Sequence, residues 1–345
     1  MGLGRRIAFR IIQAIGRSVT SFGYSICLAE LIISPAMPSA TTRGGGVFYP
    51  IVQSLSSAFD SEPGPTAGRI GKYLMQVGFH ADAVTCIMFL TSMAGNPLCV
   101  GLAASAIGVE LTWMQWAVAA IVPGLVCLLL VPLVLLRIAP PEIRQIPNAR
   151  QIARDELEKM GSMSRDELVL PFVFLICLVL WATGSLTGLG ATPIAMLAVS
   201  IMLIAGVLTW KDILAEKGAW DAMFWMGGLM ALATALSKSG FIKWAAAFIA
   251  DGIAGAHMGW ISSFLIISLI YIYSHYRFAS VTARISAMYA AFVAVAAACG
   301  AAPVYFGAGY VSQSEWWRNG FIVCTVNTVV WLTVGMARWK LIGLW

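Results

Sequence analysis

Ser39-Ala40-Thr41-Thr42-Arg43 and Ser280-Val281-Thr282-Ala283-Arg284 both read Ser-x-Thr-x-Arg, and each lies in a stretch apolar enough to enter a membrane. Small hydroxyls followed by a guanidinium suit the holding of an anion. An arginine at membrane depth costs at least ~2.5 kcal/mol on insertion scales, so it is kept with a partner: an anion, a carboxylate or a cluster of carbonyls. Two such motifs, far apart in sequence, point to one anion site assembled from two halves of a repeat, with both arginines turned into one cavity near the bilayer midplane. The competing explanation is a pair of unrelated arginines that snorkel to the interface.

The elements that must carry these motifs are membrane helices. Of the 345 residues, 59% are apolar and 11% charged, with a mean hydropathy of +0.83, whereas about a quarter of a soluble domain is charged. The runs Trp116 to Leu136 and Thr187 to Trp210 carry no charge and are long enough to cross the hydrocarbon; Val169 to Trp181 is a shorter uncharged run. The fold class is therefore all-α, a polytopic integral membrane protein. The net charge of +6 does not indicate nucleic acid, because the basic residues sit at span ends. Arg5, Arg6, Arg10 and Arg17 crowd the N-terminus, and six basic with six acidic side chains fill the connection from Arg137 to Glu167. The positive-inside rule places both segments on the cytoplasmic side. The seven cysteines lack C-x-x-C spacing and the three histidines lack a metal-binding pattern, so neither a metal nor a cofactor is expected.

The organisation read from these patterns has four parts. Residues 1–20 form an amphipathic helix with Ile7, Ile11, Ile12 and Ile15 on one face, lying on the membrane. Residues 21–138 form a first membrane region, 139–168 a charged cytoplasmic linker helix, and 169–345 a second membrane region. From Phe22 the sequence is apolar except for Glu30, then meets Pro35, Pro38 and Gly44-Gly45-Gly46, which interrupt a helix at the first motif. At such a break, N–H groups at a helix start point toward the gap and favour an anion. Gly95-Asn96-Pro97 marks a second break, whose carbonyls could meet a cation or the ligand. Trp113 to Ile138 reads as a plain span. Gly227-Gly228 within Ala219 to Leu236 reads as a re-entrant hairpin or as a packing face, and Phe321 to Met336 as the last apolar helix.

With those residues in place, the chain resembles the divalent anion:sodium symporter family, in its branch of citrate/succinate antiporters and 2-oxoglutarate/malate translocators. The stretches that carry the resemblance are Ser34 to Gly46 with Tyr49-Pro50, Phe89 to Pro97, Phe278 to Arg284, and Ala302 to Tyr310 with Glu315-Trp316-Trp317. It implies two inverted repeats with discontinuous helices and re-entrant hairpins, a secondary carrier of di- or tricarboxylates, and no catalysed reaction. By position, Ser39 and Thr41 in the first half and Ser280 and Thr282 in the second would bind substrate carboxylates. Asn96 would support the second break. Arg43 and Arg284 stand where the family's exchangers are thought to place a fixed positive charge in lieu of sodium, which implies exchange more than sodium symport. The partners implied are small carboxylate anions and membrane lipid, with a homodimer as an allowed assembly. The location implied is a bacterial inner membrane.

Three departures accompany the resemblance. Ala40 stands where the first motif normally has Asn, and Arg284 where relatives often have His. The chain also begins where relatives already have several helices behind them, and between Ala298 and Pro303 it skips a stretch that in relatives holds a further membrane helix. A transport-inactive remnant, a sodium-coupled symporter and a membrane-embedded enzyme therefore stand as rival readings, the last disfavoured because no nucleophile–base pair is evident.

Overall fold

The computed structural model describes residues 2–107, 110–145, 149–217, 285 and 313–342, with scattered positions between 219 and 239. Among the described residues the chain is helical, without a strand. In chain order the helices are α1 (Leu3–Ile15), α2 (Val19–Ile33), α3 (Ala40–Arg43), α4 (Tyr49–Ser57), α5 (Gly71–Met88), α6 (Gly95–Ile107) and α7 (Trp113–Ile138). There follow α8 (Ala149–Lys159), α9 (Arg165–Ala182), α10 (Gly184–Thr187), α11 (Ala191–Ile204), α12 (Trp210–Ala215), α13 (Gln313–Val330) and α14 (Met336–Leu341). A π turn over Gly44–Phe48 joins α3 to α4, and another over Trp331–Gly335 joins α13 to α14. Among the described residues three helical stretches are long and apolar enough to cross a membrane: Val19–Ala36, Trp113–Ile138 and Phe321–Leu341. The second coincides with the plain span expected there.

Packing divides the chain into two compact units. Residues 1–92, 113–207 and 299–345 form the first, and 93–112 with 208–298 form the second. In the first unit α5 is the central helix, packed by α2, α4 and α7 and buried on nearly every side. That surrounding lets it carry Gln76, His80, Asp82 and Thr85, which face protein and not lipid. Gln76 accepts a hydrogen bond from Asn319 Nδ2 on α13 at 3.1 Å. Gly124 permits the approach of α7 to α5, since a Cβ there would lie 2.5 Å from Met88 Cγ. On the other side of α7, Leu125, Leu129 and Leu133 form an exposed row at i, i+4, i+8, the face suited to lipid. The pair α9 and α11 closes around Val173, Cys177, Trp181 and Ile194, and the Trp181 indole N–H donates to Ala191 O at 3.1 Å.

The N-terminal segment is the helix α1, and its packing within the unit uses only part of the expected isoleucine face. The buried face of α1 is Ala8, Phe9 and Ile12, and α2 and α8 cover it. Ile15 is exposed, and Arg6 is buried. Arg6 Nη2 sits 3.1 Å from Glu167 Oε2, and Arg6 also donates to Gly161 O and Met160 O. The charged linker supplies the acceptors for this arginine, and of the expected isoleucine face Ile12 is buried while Ile15 is left out. The charged stretch holds the helix α8, with Arg154–Glu158 and Lys159–Glu156 pairs along it. In the second unit, α6 starts at Gly95, where a Cβ would come within 2.7 Å of Ile285 Cδ1. The Thr209–Asp212 capping box starts α12.

Candidate functional site

The first break forms because two prolines remove N–H groups that a helix would need. Pro35 has none to give Leu31 O, and the Ser34 hydroxyl donates to that carbonyl at 3.3 Å. Pro38 has none to give Ser34 O, which the Met37 N–H reaches at 3.3 Å in a tighter turn. Ser39 then adopts extended backbone and caps a new helix: its Oγ accepts from the Thr42 N–H at 3.2 Å and its carbonyl from the Arg43 N–H at 2.9 Å. From Ala40 the backbone stays helical to Ser57, so Gly44-Gly45-Gly46, expected to interrupt the helix, lies within it. Pro50 cannot donate to Gly46 O, and the chain accommodates it with the π turn, in which the Tyr49 N–H reaches Gly44 O. Helix geometry directs the Ala40 and Thr41 N–H groups toward the break. The side chains of Ser39, Thr41 and Thr42 are exposed there, while Arg43 points the other way and is 0% exposed.

Five acceptors surround the Arg43 guanidinium, a group with five N–H bonds. Its Nε donates to Glu30 Oε2 at 2.8 Å. Its Nη1 donates to Met37 O at 2.9 Å and to Ser92 O at 3.0 Å. Its Nη2 lies 2.6 Å from Asp82 Oδ1 and donates to Thr85 Oγ1 at 3.4 Å. Glu30 and Asp82 are themselves fully buried. With both carboxyls ionised, or with one protonated, this cluster carries no net positive charge. Arg43 thus has the buried partner that a membrane arginine requires, and that partner is the protein. In this conformation the guanidinium is not offered to a ligand as a fixed countercharge. Asp82 is the Arg43 partner that the sequence reading missed; the signal for it was a lone acid inside the apolar stretch that forms α5.

The second break, Phe89 to Ala94, is tied to the first. Ser92 turns the chain by donating from its hydroxyl to Cys86 O and Phe89 O, each at 2.7 Å. Its own carbonyl accepts from Arg43. Thr91 Oγ1 donates to Pro35 O at 2.8 Å and accepts from the Trp113 indole N–H at 3.1 Å. Arg43 thus takes one carbonyl from each break, Met37 O and Ser92 O. Asn96 is the second residue of α6 in the other compact unit, with a buried side chain and a backbone N–H donating to Met93 O at 3.1 Å. Ser280, Thr282 and Arg284 lie outside the described residues, as do most of the hairpin expected over Ala219 to Leu236 and the joint from Ala298 to Pro303. Among the described residues no group of three His, Cys, Asp or Glu side chains could hold a metal ion.

Residues 1–303, and again 297–345, match the family described as sodium:sulfate symporter transmembrane region. The chain is 43% identical over 371 aligned positions to YflS of Bacillus subtilis (strain 168), whose name assigns it provisionally to malate transport, covering 100% of this chain and 77% of that protein. It is 40% identical to dicarboxylate transporter 1, chloroplastic, of Spinacia oleracea, covering 100% of this chain and 65% of that protein. It is 33% identical to the inner membrane protein YbhI of Escherichia coli (strain K12), covering 100% of this chain and 77% of that protein. The chain thus spans about two thirds to three quarters of the length of these relatives.

Proposed function

Because the chain belongs to the sodium:sulfate symporter family of transmembrane proteins, we propose that it carries small di- or tricarboxylates, of the malate, succinate, 2-oxoglutarate and citrate class, across a bacterial inner membrane by exchange. Malate and dicarboxylates are the cargo in the names of its relatives. In this reading Ser39 and Thr41 hold one carboxylate at the start of the helix beginning at Ala40, where hydroxyl donors and helix polarity favour an anion. Ser280, Thr282 and Arg284 form the second half-site, and Asn96 shapes the break of α6. No covalent chemistry is involved.

The observation that carries exchange over sodium symport is the occupancy of the break carbonyls. Carbonyls of discontinuous helices are where carriers coordinate sodium. Here Arg43 Nη1 takes both Met37 O and Ser92 O, and a guanidinium cannot dissociate as an ion does. Labelled malate should therefore enter proteoliposomes only when unlabelled dicarboxylate is inside, with no response to a sodium gradient. Uptake that requires sodium and no internal substrate refutes the exchange assignment.

A transport-inactive remnant is the second reading, and one observation favours it. The two family matches meet at residues 297–303, and the alignment to YflS needs 371 positions for 345 residues. A segment of the relatives is thus without counterpart near the joint from Ala298 to Pro303. Grafting a relative's segment into this joint should strengthen dicarboxylate binding if the second half-site is open on that side. Saturable binding by the unmodified chain at the affinity of a full-length relative contradicts the remnant reading.

A further inference from the structure

We propose that Glu30 and Asp82 are positioning residues of the carrier. Through Arg43 they fix the tip on which Ser39 and Thr41 are displayed, so Arg43 acts as a pin behind the anion site and not as a ligand in it. This inference rests on the carboxylate-carrier reading above. It starts from where the five acceptors come from. Glu30 lies on α2 before the first break, Met37 O within it, Asp82 and Thr85 on α5, and Ser92 O in the second break. A single side chain thus joins both arms of the first break to the helix behind it and to the turn that follows. Neither arm is held there by a continuous backbone ladder, because Pro35 and Pro38 have removed it. The Ser39 carbonyl and hydroxyl that start the new helix are bonded to the Arg43 and Thr42 N–H groups. Moving the guanidinium therefore moves the cap, and with it the two hydroxyls proposed to meet substrate. Thr91 Oγ1 donating to Pro35 O adds a second, weaker tie between the same two breaks.

The two possible roles of Arg43 predict opposite signs. As a countercharge in contact with substrate, Arg43 competes with its own carboxylates, and removing Glu30 or Asp82 would free it and tighten binding. As a pin, it loses its seat, and binding weakens. Purified, reconstituted full chain carrying Asp82→Ala or Glu30→Ala should show half-saturating malate raised about tenfold or more, with a smaller change in maximal rate, because displaced binding groups weaken substrate contact before they slow the carrier. Glu30→Gln retains an acceptor for Arg43 Nε and should stay within about threefold of the parent, a rescue by geometry without charge. Arg43→Lys keeps the charge with three donors for five acceptors, so it should resemble the alanine variants; it also supplies the reading should either of those fail to reconstitute. Tighter malate binding in Asp82→Ala, or parental affinity in Arg43→Lys, overturns the proposal.

A substrate-free reading separates this proposal from the transport assignment. Thr41→Cys labelled by a membrane-impermeant thiol reagent should react at a rate changed about fivefold or more when Asp82→Ala or Arg43→Lys is added, as expected when the shell supporting a site is loosened. An unchanged rate sinks the pin. A changed rate in a chain that carries no dicarboxylate sinks the transport reading alone.

Discussion

Arg43 and Arg154 each sit 2.8 to 2.9 Å from a glutamate oxygen, yet one is sealed among α2, α5 and two helix breaks and the other is spread on the surface of α8. The Arg154–Glu158 side chains are 62% and 64% exposed, and those of Arg43, Glu30 and Asp82 are 0% exposed. Contact distance therefore says little about what either arginine does. On α8 the charges have water as an alternative, and the pairing adds a few tenths of a kcal/mol, as is usual for i,i+4 pairs. Around Arg43 there is no such alternative, so every lost acceptor leaves a buried guanidinium N–H unpaired, and loss of the guanidinium strands buried carboxylates and carbonyls. In burial the Arg6–Glu167 pair lies between them, nearly covered where α1 meets the start of α9.

The comparison can be broken by a graded series of variants read as thermal unfolding in detergent. Arg43→Ala should have the largest effect, about 3–5 kcal/mol, because it strands two buried carboxylates; a loss no greater than that of a surface variant would remove the contrast. Arg6→Ala should cost about 1–3 kcal/mol, since Glu167 keeps the Ser164 N–H as a donor. Ser39→Ala removes the cap of the helix that starts at Ala40 and should cost about 1 kcal/mol, with a larger effect on malate affinity than on stability. Arg154→Ala should change stability by less than about 0.5 kcal/mol. Raising ionic strength should erase that last difference and leave the Arg43→Ala deficit in place, because salt screens exposed pairs far more than buried ones.

The breaks were legible because proline and glycine act locally. Pro35 and Pro38 located the first interruption, Gly95-Asn96-Pro97 the start of α6, and the apolar stretch from Trp113 to Ile138 the full extent of α7, whereas the triple glycine marked a π turn inside helical backbone and not a break. The partners of Arg43 were not legible. A helix face relates residues three, four or seven apart, whereas Glu30 and Arg43 stand 13 apart across an interruption that resets the register. Asp82 comes from another helix, and nothing in its neighbourhood encodes which cation it will face. The same limit explains α1. Its isoleucine spacing is readable in the chain, but that Arg6 is buried against Gly161 O, Met160 O and Glu167 is not. The need for a partner was readable from the cost of a charge in lipid, and the identity of that partner required the packing.

Whether the first break binds a dicarboxylate at all is tested most directly by substrate stabilisation of the purified chain. A ligand that binds only the folded protein adds about 2.7 kcal/mol at a hundred times its dissociation constant. Malate should raise the unfolding temperature saturably, chloride at equal ionic strength should not, and the Ser39→Ala/Thr41→Ala variant should lose most of the shift. An equal shift in that variant, or none with malate, succinate, 2-oxoglutarate or citrate in the parent chain, would contradict the placement of the anion site at this helix start.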